Sequence, residues 1–74
     1  MTFVAEQIRA KMVANVLSVL VSEGEVVAAG QPVVIMESMK MEIPVLAETG
    51  GTVGTVFVAQ GDVVQEGDVM VELA

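Results

Sequence analysis

The sequence predicts an all-β fold of short strands packed in two layers. Three observations predict it. Valine dominates a chain that glycine punctuates and that holds only two aromatic residues, Phe3 and Phe57. β-Branched residues fit pleated surfaces, and short apolar runs bounded by turn residues read as strands. The sequence also matches itself after a shift of 37 residues, which places Gly24 on Gly61. Within each copy the valines recur at intervals of three and then two, a strand pattern with one irregularity.

The first copy runs from Asn15 to Met36 and the second from Thr52 to Leu73. The identical pairs are Val16/Val53, Val19/Val56, Val21/Val58, Gly24/Gly61, Val26/Val63, Val27/Val64, Gly30/Gly67 and Val34/Val71. Ser18/Thr55 and Glu25/Asp62 are close substitutes. Such agreement predicts one domain over residues 1–74, built of two half-repeats of about 1–37 and 38–74 around an approximate two-fold axis.

Taken in order, Glu6–Met12 is the expected first strand, matching Ile43–Thr49 in the second half. Ile8, Met12, Val16 and Val19 also fit a helical stripe, but a helix there would break the match to Val53–Val58, which contains Gly54. Val16–Val21 is therefore read as a strand, and Glu23-Gly24-Glu25 as a turn. Val26-Val27 begins a short strand, Ala29-Gly30 turns, and Pro32–Met36 is a strand that starts at its proline. In a flat strand Val16 and Val19 would face opposite sides. A β-bulge within residues 16–19, and another within 53–56, restores one apolar face and bends the strand.

Composition excludes several functions. The chain carries no Cys and no His, so the usual thiol and imidazole ligands, redox pairs and catalytic bases are missing. Its net charge is −7, with only Arg9, Lys11 and Lys40 positive, which argues against nucleic acid and anionic membrane surfaces as partners. Thr49–Gly61 is the longest uncharged run, too short and too glycine-rich to span a membrane. The first residues lack the apolar stretch of a signal peptide, and the expected location is cytoplasmic. Glu23, Glu25, Asp62, Glu66 and Asp68 gather at turns and read as solvated surface that steers basic partners. They lack the spacing of a calcium loop.

One stretch stands apart: Glu37-Ser38-Met39-Lys40-Met41-Glu42. The chain must reverse between Val33–Met36 and Ile43–Leu46, yet Gly, Asn, Asp and Pro are all absent from Glu37 to Met41. Two methionines bracket a lysine instead, where a tight turn offers them little to pack against. Shifting by 37 places Lys40 on Phe3, so the turn is expected at one end of the molecule and the termini at the other.

Glu37–Met41 resembles the attachment motif of the biotin/lipoyl attachment domain family, in its biotinyl form, where Ala or Ser precedes Met-Lys-Met. The resemblance covers nearly the whole chain: Val19–Gly30 and Val58–Gly67 fall where the family has glycine turns, and Ala47–Val53 where it has an Ala-Pro…Gly-x-Val segment. Ala10–Ala14 departs from the family's Ala-Pro-Met-Pro-Gly, and a protruding thumb insertion is absent. With neither linker nor catalytic domain, the chain is expected to be either a free-standing carrier or a domain cut from a larger chain, Met1 at its start favouring the first.

The resemblance implies a flattened β-barrel, a barrel-sandwich hybrid of two four-stranded antiparallel sheets. It implies biotin, amide-linked to Lys40, as the cofactor, with Met39 and Met41 recognised by biotin protein ligase and Ser38, Glu37 and Glu42 beside the turn. A reactive lysine needs burial or a neighbouring cation; Lys40 is offered neither, so a ligase must activate the acyl group. The implied role is a biotin carboxyl carrier, not an enzyme. It would move a carboxyl group between biotin carboxylase and carboxyltransferase subunits and raise the group's effective concentration at each. A lipoyl carrier is the nearest alternative, although such domains resemble Asp-Lys-Ala at the turn. An unmodified β interaction module is the other.

Overall fold

Alternating and β-branched segments become strands wherever the repeat marks them. The computed structural model describes residues 5–74. In chain order the strands are β1 (Glu6–Arg9), β2 (Ala14–Val19), β3 (Val26–Val27), β4 (Pro32–Ser38), β5 (Met41–Leu46), β6 (Gly51–Val56), β7 (Val63–Val64) and β8 (Val69–Leu73). Among the described residues there is no helix. The strands form two four-stranded antiparallel sheets, ordered β1-β8-β6-β3 and β5-β4-β2-β7. The fold is the expected flattened barrel.

A shift of 37 residues converts the first sheet order into the second, strand for strand. Each sheet therefore takes two strands from either half of the sequence. The hydrogen bonds repeat the relation. Gly24 N–H donates to the Val53 carbonyl at 2.8 Å, and Gly61 N–H to the Val16 carbonyl at 2.8 Å. Gly30 N–H donates to Ala47 at 2.7 Å, and Gly67 N–H to Ala10 at 2.8 Å. In return Val53 N–H reaches the Glu25 carbonyl and Val16 N–H the Asp62 carbonyl, both at 2.8 Å. Turns of one half are clipped onto strands of the other.

Both bulges are present. The β2–β4 register steps from Val16↔Met36 to Ser18↔Ile35, skipping Leu17. The β6–β8 register steps from Val53↔Leu73 to Thr55↔Glu72, skipping Gly54. The extra residue lets Val16 and Val53 point inward while the strand curls. They join Val33, Val34, Met70, Val71 and Leu73 in the core, all essentially excluded from solvent. Each such side chain contributes roughly 1.5–3 kcal/mol over its exposed state.

Four turns share one construction: Ser22–Glu25, Ala28–Gln31, Ala59–Asp62 and Gln65–Asp68. In each, the fourth residue's N–H donates to the first residue's carbonyl at 3.1 Å. The third residue is glycine with φ between 84° and 94°, the type II pattern that a side chain resists. The fourth side chain then accepts the first residue's N–H: Glu25 from Ser22, Gln31 from Ala28, Asp62 from Ala59 and Asp68 from Gln65, at 2.8–3.1 Å. Glu23 accepts the Val56 N–H at 3.2 Å. The reading of these acidic residues as merely solvated surface is thus corrected for Glu23, Glu25, Asp62 and Asp68, which satisfy backbone donors.

Strand limits also differ from expectation. β1 stops at Arg9 because the Ala10 N–H turns to the Asp68 carbonyl. β5 stops at Leu46 because the Glu48 and Thr49 N–H groups turn to the Glu6 carboxylate at 2.9–3.1 Å. The outer strands are poor templates for further pairing: β3 and β7 have two residues each, and β5 carries Pro44. The expected partnership of Lys40 with Phe3, and the position of the N-terminus, lie outside the described residues.

Candidate functional site

The β4–β5 hairpin builds the site. Pairing runs Met36↔Ile43, Glu37↔Glu42 and Ser38↔Met41, which leaves Met39 and Lys40 as a two-residue loop. A loop this short matches strand twist best when both residues adopt positive φ, a type I′ geometry that favours Asn-Gly. Here φ is 53° at Met39 and 64° at Lys40, the only non-glycine residues with positive φ among those described. Each left-handed side-chain residue costs about 1–2 kcal/mol.

Other features of the tip also work against stability. Met39 is 91% exposed and Met41 64% exposed, although a thioether side chain gains by burial. Lys40 is exposed. Glu37, half-buried, faces exposed Glu42 directly across the hairpin, and like charges in that relation repel. Ser38 is half-buried beneath the turn. The structure therefore brings all six residues singled out in the sequence onto one hairpin end.

The tip is held up by a firm base. Val33, Val34 and Met36 of β4 are buried, and β4 is flanked on both sides by β2 and β5. Pro44, opposite Ile35, fixes its own φ in the outer strand. A groove of about 460 Å³ runs alongside, lined by Ile43, Pro44, Val45 and Leu46 of β5 and by Glu6, Gln7, Ile8 and Arg9 of β1. Among the described residues no group of His, Cys, Asp or Glu is placed to hold a metal ion.

Glu6 is the residue that sequence reasoning missed. Its carboxylate accepts the Glu48 and Thr49 N–H groups and the Thr49 hydroxyl at 2.9–3.1 Å. Burial pushes its pKa up, but these three donors together outweigh burial and leave it below the ordinary value of 4.5. It pins the connection between β5 and β6, which anchors the far end of the lysine hairpin's second strand.

A two-sheet scaffold, interlocked by its own repeat and presenting one exposed amine on a two-residue turn, defines a protein of the presenting kind: an attachment domain. The comparisons agree. A family model described as "Biotin-requiring enzyme", that of the biotin/lipoyl attachment domains, matches residues 6–73. The chain belongs to this family.

The Mycobacterium leprae protein named "Biotinylated protein TB7.3 homolog" is 54% identical over 66 residues, covering 89% of this chain and 93% of the relative. The Bacillus subtilis "Biotin/lipoyl attachment protein" is 47% identical over 64 residues, covering 86% of this chain and 88% of the relative. The Kluyveromyces lactis urea carboxylase structure superimposes with a TM-score of 0.87 at 29% identity, over 93% of this chain but only 6% of that one. The lipoyl domain of the Azotobacter vinelandii 2-oxoglutarate dehydrogenase complex superimposes with a TM-score of 0.74 at 25% identity, over 90% of this chain and 95% of that domain. The chain is itself a carrier-type domain rather than a catalyst.

Proposed function

We propose that residues 1–74 form a single biotinyl carrier domain, with biotin amide-linked to the Nζ of Lys40. One observation carries the reading: a lysine held outward on a strained two-residue turn between two exposed methionines. The turn geometry fits a covalent arm, because the amine stands where a large partner reaches it from outside. Activation then falls to that partner, a biotin protein ligase, for which Met39 and Met41 form the contact and Ser38, Glu37 and Glu42 the flanks. Bound biotin supplies a ring nitrogen that accepts and releases a carboxyl group. The chain contributes presentation: it holds the arm on a rigid hairpin and carries it between biotin carboxylase and carboxyltransferase subunits, in the cytoplasm. Relatives that lie within larger carboxylases support partners of that type.

A lipoyl arm is the second reading, supported by the likeness to a lipoyl domain. The test is co-expression with a biotin protein ligase, and separately with a lipoate ligase, followed by intact-mass measurement and streptavidin binding. The biotin reading requires one biotin per chain, and none in Lys40→Arg. That variant should keep its stability within about 0.5 kcal/mol, since an exposed side chain changes and the backbone does not. Acylation by lipoate alone would replace biotin in this account. Failure of both would leave an unmodified interaction module.

A further inference from the structure

We propose that Met39 and Met41 are a modification site: a peroxide-sensitive pair of thioethers whose oxidation closes Lys40 to its acylating enzyme. Among the described residues the methionines divide sharply. Met39 is 91% and Met41 64% exposed, whereas Met36 is 2% and Met70 0% exposed. Met12, in the β1–β2 connection, lies between at 40%. Oxidation of methionine follows access to the sulfur, so among the described methionines a peroxide reaches the two that flank Lys40 first.

The chemistry balances without help from the protein. A sulfur lone pair takes the terminal oxygen of a hydroperoxide and the O–O bond breaks. A sulfoxide forms, and water, or an alcohol from an organic peroxide, departs. Sulfur is oxidised by two electrons and the peroxide reduced by two. No base or metal is needed, which suits a chain without histidine or cysteine.

The consequence follows from the site's geometry. Met39 adopts positive φ and is held away from the barrel, so its side chain is available to a partner and to little else. Met41 sits opposite Ser38 on the outer strand. A sulfoxide turns each flexible apolar side chain into a polar one, and a partner that buries them must then desolvate a strong acceptor. The fold is spared, because neither residue belongs to the core. Reduction by methionine sulfoxide reductases restores the site.

This consequence rests on the carrier reading; the selectivity of oxidation does not. The test treats the unacylated full chain with graded hydrogen peroxide, maps sulfoxides by peptide mass spectrometry, and measures the initial rate of biotinylation with a biotin protein ligase. Sulfoxides should appear at Met39 and Met41 while Met36 and Met70 stay reduced. The biotinylation rate should fall roughly tenfold, as expected when apolar contacts become polar ones. Reductase treatment should recover it. Oxidation of Met36 or Met70 at the rate of the turn pair overturns the site. An unchanged rate on fully oxidised protein overturns its consequence. If the untreated chain accepts lipoate and not biotin, the same comparison is made with lipoate ligase. A chain that neither ligase acylates overturns the carrier reading and the consequence together, and the sulfoxide map still decides the site.

Discussion

At the scale of single residues, the lysine turn trades stability for presentation. Met39 and Lys40 hold left-handed backbone that Asn or Gly would adopt without strain. Met39→Asn should therefore stabilise the chain by about 0.5–1 kcal/mol. Thermal unfolding would show this as a rise of roughly 2–8 °C for a domain of this size. The same variant should be acylated more slowly. The sequence made this site legible through an omission, a reversal without turn residues. It could not reveal that both residues take positive φ, because the loop length depends on the pairing of Ser38 with Met41. Glu6 was illegible for a different reason. Its contacts at Glu48 and Thr49 are distant in sequence, and its repeat equivalent is Ile43, so the symmetry gives no hint of it. Its lowered pKa has a definite sign. Folding favours the carboxylate, so this contribution is complete above the ordinary value of 4.5 and is lost as pH falls through the lower folded value. In urea denaturation Glu6→Gln should cost on the order of 1 kcal/mol at neutral pH, after allowance for solvent screening of a mostly exposed group. The wild-type and variant curves should converge in acid. A gap that widens as pH falls would refute the assignment.

At the scale of elements, the turns and bulges are the recurring parts. The valine spacing of three then two forecast the bulges at Leu17 and Gly54, because only an inserted residue brings Val16 and Val19, or Val53 and Val56, to one face. The ends of β1 and β5 were not legible, since Asp68 and Glu6 terminate them from remote parts of the chain. Gly24 and Gly61 test the equivalence of the turns. Both have φ near 90°, and a Cβ at either would meet nothing within 4 Å. Alanine at either position therefore brings backbone strain without a clash, about 1–2 kcal/mol. Gly24→Ala and Gly61→Ala should lower the melting temperature by similar amounts, about 4–8 °C per kcal/mol. A large difference between them would mean that the two turns are not energetically alike, whatever their geometry.

At the scale of the whole molecule, the repeat has a consequence that neither half holds alone. Sequence identity over the two copies implied a two-fold relation, but it left open whether each half folds into its own sheet. The pairings that decide this, such as Glu6 with Leu73 and Ala14 with Val64, join residues far apart in the chain. In the structure each sheet draws on both halves, and Gly24, Gly30, Gly61 and Gly67 each donate across the divide. Removing one half would take two strands from each sheet and strip the other half's clips. The halves should therefore unfold in one step. Native-state hydrogen exchange is the direct measurement. The amides of Gly24 and Gly61, and those of Val16 and Val53, should exchange with one common free energy, equal to that from urea denaturation. Gly61→Ala, placed in the second half, should lower the protection of Val16 and Val53 alike. Two tiers of protection divided between residues 1–37 and 38–74 would instead show that the halves are separable, and that the hairpin bearing Lys40 rests on half a barrel rather than a whole one.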